Sequence, residues 1–228
     1  MGLRAKKAKR WPNGKILYTF GKGTDVVAKG DKAGLSLKDV LLGCMRRWEE
    51  LVNTKANKVL IEFKEDATAQ YHVVFEEIGG DPYATAGSVA LTKAKANEPI
   101  KFQFSNNDET LVTFPHEFAH LIGLAHEHIR SVMMKKGDLK NGKSYLRFTG
   151  KTSDLEYFAY QMDAGKYDPD GEYDPDSITH YPASNNLKLA WVGKALAIRM
   201  PRIEAVKKKA QDWNPSPGDI AAVINLYS

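Results

Sequence analysis

The chain has 228 residues, which suits one domain or two lobes around a cleft with a sizeable core. Its 43% hydrophobic and 27% charged content is ordinary for a globular protein, and no apolar run approaches the roughly 18 residues of a membrane-crossing helix, so no membrane span is expected. The net charge of +5 comes largely from lysines, clustered within residues 6–10 and 207–209; a basic stripe with interleaved aromatics is not visible, so no nucleic-acid partner is expected.

In chain order, residues 1–10 form a basic segment without the hydrophobic region of a secretory signal. Trp11-Pro12-Asn13-Gly14 reads as a turn and Lys15–Phe20 as the first strand. Ser36 can cap a helix whose apolar positions Leu37, Val40, Leu41, Cys44, Trp48, Leu51 and Val52 follow helical spacing. Cys44 is the only cysteine, so no intrachain disulfide can form, and its neighbours mark it as a buried thiol. Val59–Phe63 and Tyr71–Phe75 read as strands, with His72 a strand residue, and Ala86–Leu91 and Ile100–Phe104 as two more. Asp108 or Thr110 then starts a helix that ends near Gly123. Further on, Asp154–Met162 is a short helix candidate. The acids of Tyr167–Asp176 lack the closing glutamate of a calcium loop and read as a solvated loop. Asp219–Tyr227 is an amphipathic terminal helix. Strand, helix, strands and helix in this order make an α+β fold.

Residues 116–126 read H-E-x-x-H-x-x-G-x-x-H. His116 and His120 are four apart, so on a helix both imidazoles leave one face, one turn apart. That spacing suits two nitrogens on one zinc ion. Gly123 lets the chain leave the helix through a left-handed position, and the turn returns His126 as third ligand. Three protein ligands leave a fourth position open, as a catalytic site requires. Glu117 lies beside the first ligand, where a carboxylate can serve as general base towards a zinc-activated water. His128 falls outside the ligand spacing and reads as a surface residue or one outside the ligand set.

Beyond the metzincin motif, four collinear segments resemble the astacin-type zinc peptidases: Trp11–Tyr18, His126-Glu127-His128-Ile129-Arg130, Tyr173–Tyr181 and Asp219–Tyr227. The resemblance implies a two-lobed metzincin fold over residues 11–228, with lobes of about 11–123 and 124–228 around a cleft. It would have a twisted, mainly antiparallel or mixed sheet, two long helices and an irregular C-terminal lobe. It implies a monomeric endopeptidase with one zinc ion per chain and a protein or peptide substrate. Tyr181 would ligate zinc at rest and swing to donate to the oxyanion, and Glu127 would anchor a mature N-terminus. The 86–91 strand would pair with an extended substrate. The family resemblance implies secretion, whereas the single cysteine and the absence of a signal in this sequence leave a cytoplasmic location open.

Two other classes remain, a catalytically impaired zinc-binding module and, behind it, a basic nucleic-acid-binding protein. A zinc-binding module without catalysis has no use for Glu117 or Tyr181, and a nucleic-acid binder needs its lysines on one face. The chain departs from the family pattern at Thr179, which stands where the Met-turn has methionine, in the missing disulfides, and at Ser131-Val132-Met133-Met134. A branched, shorter side chain underfills a methionine's volume, so Thr179→Met is expected to hold or improve thermal stability.

Overall fold

The computed structural model describes residues 4–5, 10–29, 34–69, 72–79, 83–84, 100–107, 113–127, 146–148, 167–168, 174, 176–179, 187–189 and 214–228. Strand β1 (Arg4–Ala5) is followed by a single 3-10 turn at Pro12–Gly14 and by β2 (Lys15–Phe20). Gly14 has φ +68°, and a Cβ there would lie 1.8 Å from the Leu60 carbonyl oxygen, so the turn admits only glycine.

Helix α1 (Leu37–Ala56) starts with a capping box. Ser36 Oγ accepts from Asp39 N at 3.0 Å, and the Asp39 carboxylate accepts from Ser36 N at 3.3 Å. Its buried residues Leu37, Val40, Leu41, Cys44, Met45, Trp48 and Val52 make the expected helical stripe. Burial pushes the Cys44 thiol up, so it stays protonated and inert.

Strands β3 (Glu62–Glu65), β4 (Val73–Glu77), β5 (Tyr83–Ala84) and β6 (Ile100–Phe104) join β2 in one sheet of order β3-β2-β4-β6-β5. The pairings β2–β3, β2–β4 and β4–β6 are parallel, and only β5 runs antiparallel, on β6. The sheet is therefore mixed but mainly parallel, which corrects the expectation of a mainly antiparallel one. Parallel neighbours need a crossover, and α1 supplies the one from β2 to β3. Two small antiparallel pairs stand apart: β1 with β8 (Tyr167–Asp168), and β7 (Leu146–Phe148) with β9 (Leu187–Leu189).

Two strands begin later than their sequence suggests. Leu60 and Ile61 are buried, but both amides donate to Asn53 Oδ1, at 2.8 and 3.1 Å, while Asn53 Nδ2 donates to the Ile61 carbonyl. A side chain of α1 thus takes the bonds a neighbouring strand would have used, and the β3 ladder starts at Glu62. His72 precedes β4, with its Nδ1 3.2 Å from the Ala69 carbonyl oxygen.

One face of the sheet carries the core. Ile16, Tyr18, Val73, Phe75, Ile100, Phe102 and Phe104 alternate inward and pack with the buried stripe of α1. Helices α2 (Phe114–Ile122) and α3 (Pro217–Tyr227) close the same core. Asp108 and Thr110, read as possible starts of α2, lie outside the described residues; Thr113 is its N-cap, without a side-chain cap bond. Helix α3 begins two residues before the expected Asp219, because Ser216 is the N-cap and Asp219 closes its capping box from N3. The helix candidate at 154–162 and the strand candidate at 86–91 also lie outside the described residues.

Candidate metal centre

The sequence Phe114-Pro115-His116-Glu117-Phe118-Ala119-His120-Leu121-Ile122 has two faces as a helix. Phe114, Phe118, Leu121 and Ile122 are fully buried. The Phe118 ring stacks on Phe75 with centroids 5.6 Å apart and meets Phe63 edge-on at 5.6 Å. With that face committed to the sheet, His116 and His120 leave from another side of the helix, one turn apart.

The helix ends where the motif predicts. Gly123 has φ +127°, and its amide donates to the carbonyls of Ala119 and His120. Leu124 N donates to Ala119 O at 2.9 Å, completing a tight C-terminal reversal. The reversal swings His126 back. Its Nε2 lies 3.3 Å from that of His116 and 3.0 Å from that of His120, and the latter two are 3.0 Å apart.

Two distant segments hold this reversal. Trp11 Nε1 donates to Leu121 O at 2.8 Å, and Tyr227 Oη donates to Ile122 O at 2.6 Å. Both acceptors are last-turn carbonyls that have no partner within the helix. At the other end, Trp48 Nε1 donates to Pro115 O at 3.3 Å.

The tautomers follow from chemistry. A carbonyl oxygen only accepts, so His116 Nδ1 donates to Ile178 O (2.8 Å) and His120 Nδ1 donates to Leu124 O (2.9 Å). In the neutral rings the Nε2 atoms then carry lone pairs. Burial lowers His116 to about 3, with His120 adding to the effect, and lowers His120 to about 4, so both rings are neutral at neutral pH. Lone pairs facing each other at about 3 Å repel unless a cation lies among them. Tetrahedral zinc with bonds of 2.0–2.1 Å separates its nitrogens by about 3.3–3.4 Å. The trio fits that group in distance, and His116 and His120 fit it in tautomer and charge as well; it is the metal-competent cluster among the described residues.

The Astacin peptidase family matches this chain over residues 3–228. The chain belongs to the astacin family. Astacins are zinc metalloendopeptidases, so zinc is the metal implied for the histidine trio. Tolloid-like protein 1 of Mus musculus is 27% identical over 223 residues, covering 95% of this chain and 19% of that protein. Tolloid-like protein 2 of Homo sapiens is 27% identical over 226 residues, covering 95% of this chain and 18% of that protein. The chain therefore spans about a fifth of the length of these curated relatives. Among solved structures, high choriolytic enzyme 1, a hatching-enzyme zinc protease of Oryzias latipes, matches with TM-score 0.50 and 17% identity, covering 95% of this chain and 91% of that one. That similarity bears on the fold alone.

Of the other residues singled out in this astacin sequence, Glu117 sits in the first turn of α2, partly buried, with its amide donating to Thr113 O. Glu127 is fully buried, and one carboxylate oxygen accepts from Asp174 N at 3.0 Å. Tyr181, His128 and residues 131–134 lie outside the described residues.

Four residues with a structural part in the site carried none in the sequence reading. Trp11 and Tyr227 brace the helix end, and Ser177 and Asp219 brace the turn beneath His116. All four fall in segments that resemble the family, so position hinted at them, but nothing local reveals their partners. Thr179 also changes meaning. It is fully buried, and its hydroxyl lies 2.8 Å from Ser177 Oγ. A methionine would forfeit that bond and add volume at a fully buried position, so Thr179→Met is expected to lower stability.

Proposed function

We propose that this chain is a zinc-dependent endopeptidase with its centre at His116, His120 and His126, lying between lobes of about 11–123 and 124–228. The observation that carries the reading is the convergence of three Nε2 atoms within 3.0–3.3 Å while two of the rings commit Nδ1 to backbone carbonyls. Zinc bound there supplies Lewis acidity, polarising a scissile carbonyl and acidifying water. Glu117 takes a proton from the attacking water and passes it to the leaving amine. Tyr181 donates its hydroxyl to the developing oxyanion; one such donor is typically worth about 2.7–4 kcal/mol. The substrate is an extended segment of a protein or peptide, paired by strand addition with residues 86–91, and the enzyme acts as a monomer.

Cleavage of an unbiased peptide mixture, with and without chelator, tests this reading. Glu117→Ala should retain about one zinc per chain yet lose roughly 10²–10⁴-fold in activity, the range of general acid–base catalysis. A metal-replete Glu117→Ala protein with unchanged turnover removes the mechanism. Zinc binding without any cleavage by the unmutated chain favours a non-catalytic module instead.

A further inference from the structure

The zinc-site reading explains the three histidines but leaves a buried polar cluster next to them without a role. It comprises Ser177, Thr179 and Asp219, which are respectively 3%, 0% and 0% exposed. Burying three such groups together is costly unless each is hydrogen-bonded, and here they bond to one another in a fixed direction.

Ser177 Oγ lies 2.6 Å from Asp219 Oδ1, and a carboxylate there only accepts, so Ser177 spends its one proton on Asp219. Ser177 Oγ can then only accept from its other neighbours. They are Thr179 Oγ1 at 2.8 Å and Thr179 N at 3.1 Å. Thr179 is therefore the donor of the hydroxyl pair, and proton donation runs from Thr179 through Ser177 to Asp219. Burial raises the Asp219 carboxyl, while its bonds from Ser177, Ile178 N and Ser216 N favour the charged form.

The peptide groups on both sides of Ile178 are pinned by this chain. Ile178 N donates to Asp219 Oδ2 at 2.8 Å. The next peptide is held through Thr179 N on Ser177 Oγ, and its carbonyl is Ile178 O, the acceptor of His116 Nδ1–H. With both planes fixed, that carbonyl can point in one direction only, and hydrogen-bonded chains of this kind polarise their members cooperatively.

The cluster also reaches towards the third histidine. Ser216 Oγ donates to Asp174 Oδ2 at 2.5 Å, and Asp174 N donates to Glu127, the residue after His126. Gly218 makes room for this arrangement, since a Cβ there would lie 2.1 Å from Asp174 Oδ2.

We infer that Thr179, Ser177 and Asp219 are positioning residues for His116: their hydrogen-bond chain aims the Ile178 carbonyl that holds the ring's tautomer and orientation. Thr179, standing where a methionine would only pack, supplies the outermost donor. This rests on the reading of His116 as a zinc ligand, since the aim of the ring matters only if its Nε2 must meet a metal. Partners that orient a ligand in this way typically change metal affinity by about 10–100-fold.

The test separates hydrogen bonding from packing. Zinc affinity of the full chain is measured by competition with a chromophoric chelator for Thr179→Val, Thr179→Ser and Ser177→Ala. Valine keeps the volume and loses the hydroxyl, whereas serine keeps the hydroxyl and loses the methyl. Thr179→Val should weaken zinc binding about tenfold and Ser177→Ala by up to about 100-fold, with Thr179→Ser close to the unmutated chain. The reverse order, with valine tolerated and serine weak, would mean that Thr179 merely fills space and would overturn the inference. A second readout uses metal-free protein with ¹⁵N-labelled histidine. The His116 Nδ1–H resonance should be sharp in the unmutated chain and in Thr179→Ser, and lost to exchange in Thr179→Val. Its persistence in Thr179→Val overturns the positioning role. His120→Ala binding zinc as tightly as the unmutated chain would instead sink the ligand reading, while the metal-free resonance still decides the positioning.

Discussion

Helix α2 is held on two sides by opposite kinds of contact. Towards the sheet, Phe114 and Phe118 meet Phe63, Phe75, Phe102 and Phe104 in an apolar, aromatic layer, with Leu121 and Ile122 buried in the same core. On the metal side, support comes from single hydrogen bonds: the Ile178 and Leu124 carbonyls on the imidazoles, and the Asp219 cluster behind Ile178. Apolar contact is non-directional, so the first layer fixes where the helix lies and supplies stability. Hydrogen bonds are directional, so the second fixes where ring nitrogens point. The two regions should therefore respond differently to substitution, in stability on one side and in metal binding on the other.

The largest effect on stability is expected at Phe118→Ala. Removing a fully buried ring that touches three others should cost about 3–5 kcal/mol, read by denaturant unfolding. Folded Phe118→Ala protein should still bind zinc close to normally. A loss of zinc affinity as large as that from Ser177→Ala would break the division between the two supports.

Tyr227→Phe should be intermediate. It removes the hydroxyl that satisfies the Ile122 carbonyl and leaves a buried acceptor unpaired, at about 1–3 kcal/mol. Because Ile122 precedes the reversal at Gly123, this change should also loosen His126, seen as faster zinc release. Unchanged release with lowered stability would place Tyr227 wholly with the apolar support.

Near neutral pH the smallest effect is that of His116 and His120 in the metal-free protein, and it grows only as the pH falls. His116 and His120 are lowered in the folded state, to about 3 and about 4, from about 6.5 in the unfolded chain. Below pH 6.5 the unfolded state binds more protons, so stability falls with pH between about 6.5 and 3 and is insensitive to these rings above that window. Asp219, raised by burial, acts in the opposite sense within its own range. The comparison of unmutated protein with His120→Gln isolates the imidazole contribution. An identical pH profile for the two would show that burial of His120 does not govern its protonation.

Local pattern marked the elements well where a single face met the core. The stripe from Leu37 to Val52, the capping serine at 36, and the strands at 15–20 and 100–104 were readable because their bonds are local or their alternation is regular. The start of β3 was not, because Asn53 takes the amides of Leu60 and Ile61, and a side-chain competitor from another element leaves no mark on the strand. Sheet direction was missed for a related reason. Alternation reports which face is buried and is silent on whether a neighbour runs parallel, although the long helix between β2 and β3 was a usable sign of a crossover.

At the site, the sequence by itself determined that His116 and His120 leave one helix face and that the chain reverses at Gly123 towards His126, because helical spacing and one left-handed position are local properties of a short segment. Only the tertiary structure decided how the rings are held. His116 meets Ile178 at a separation of 62 residues, and Ser177 meets Asp219 at 42. Trp11 and Tyr227 come from opposite ends of the chain to adjacent carbonyls of one helical turn. Such contacts are set by how the layers pack, and a threonine that reads as an imperfect methionine becomes a donor only once folding brings its serine and aspartate partners together.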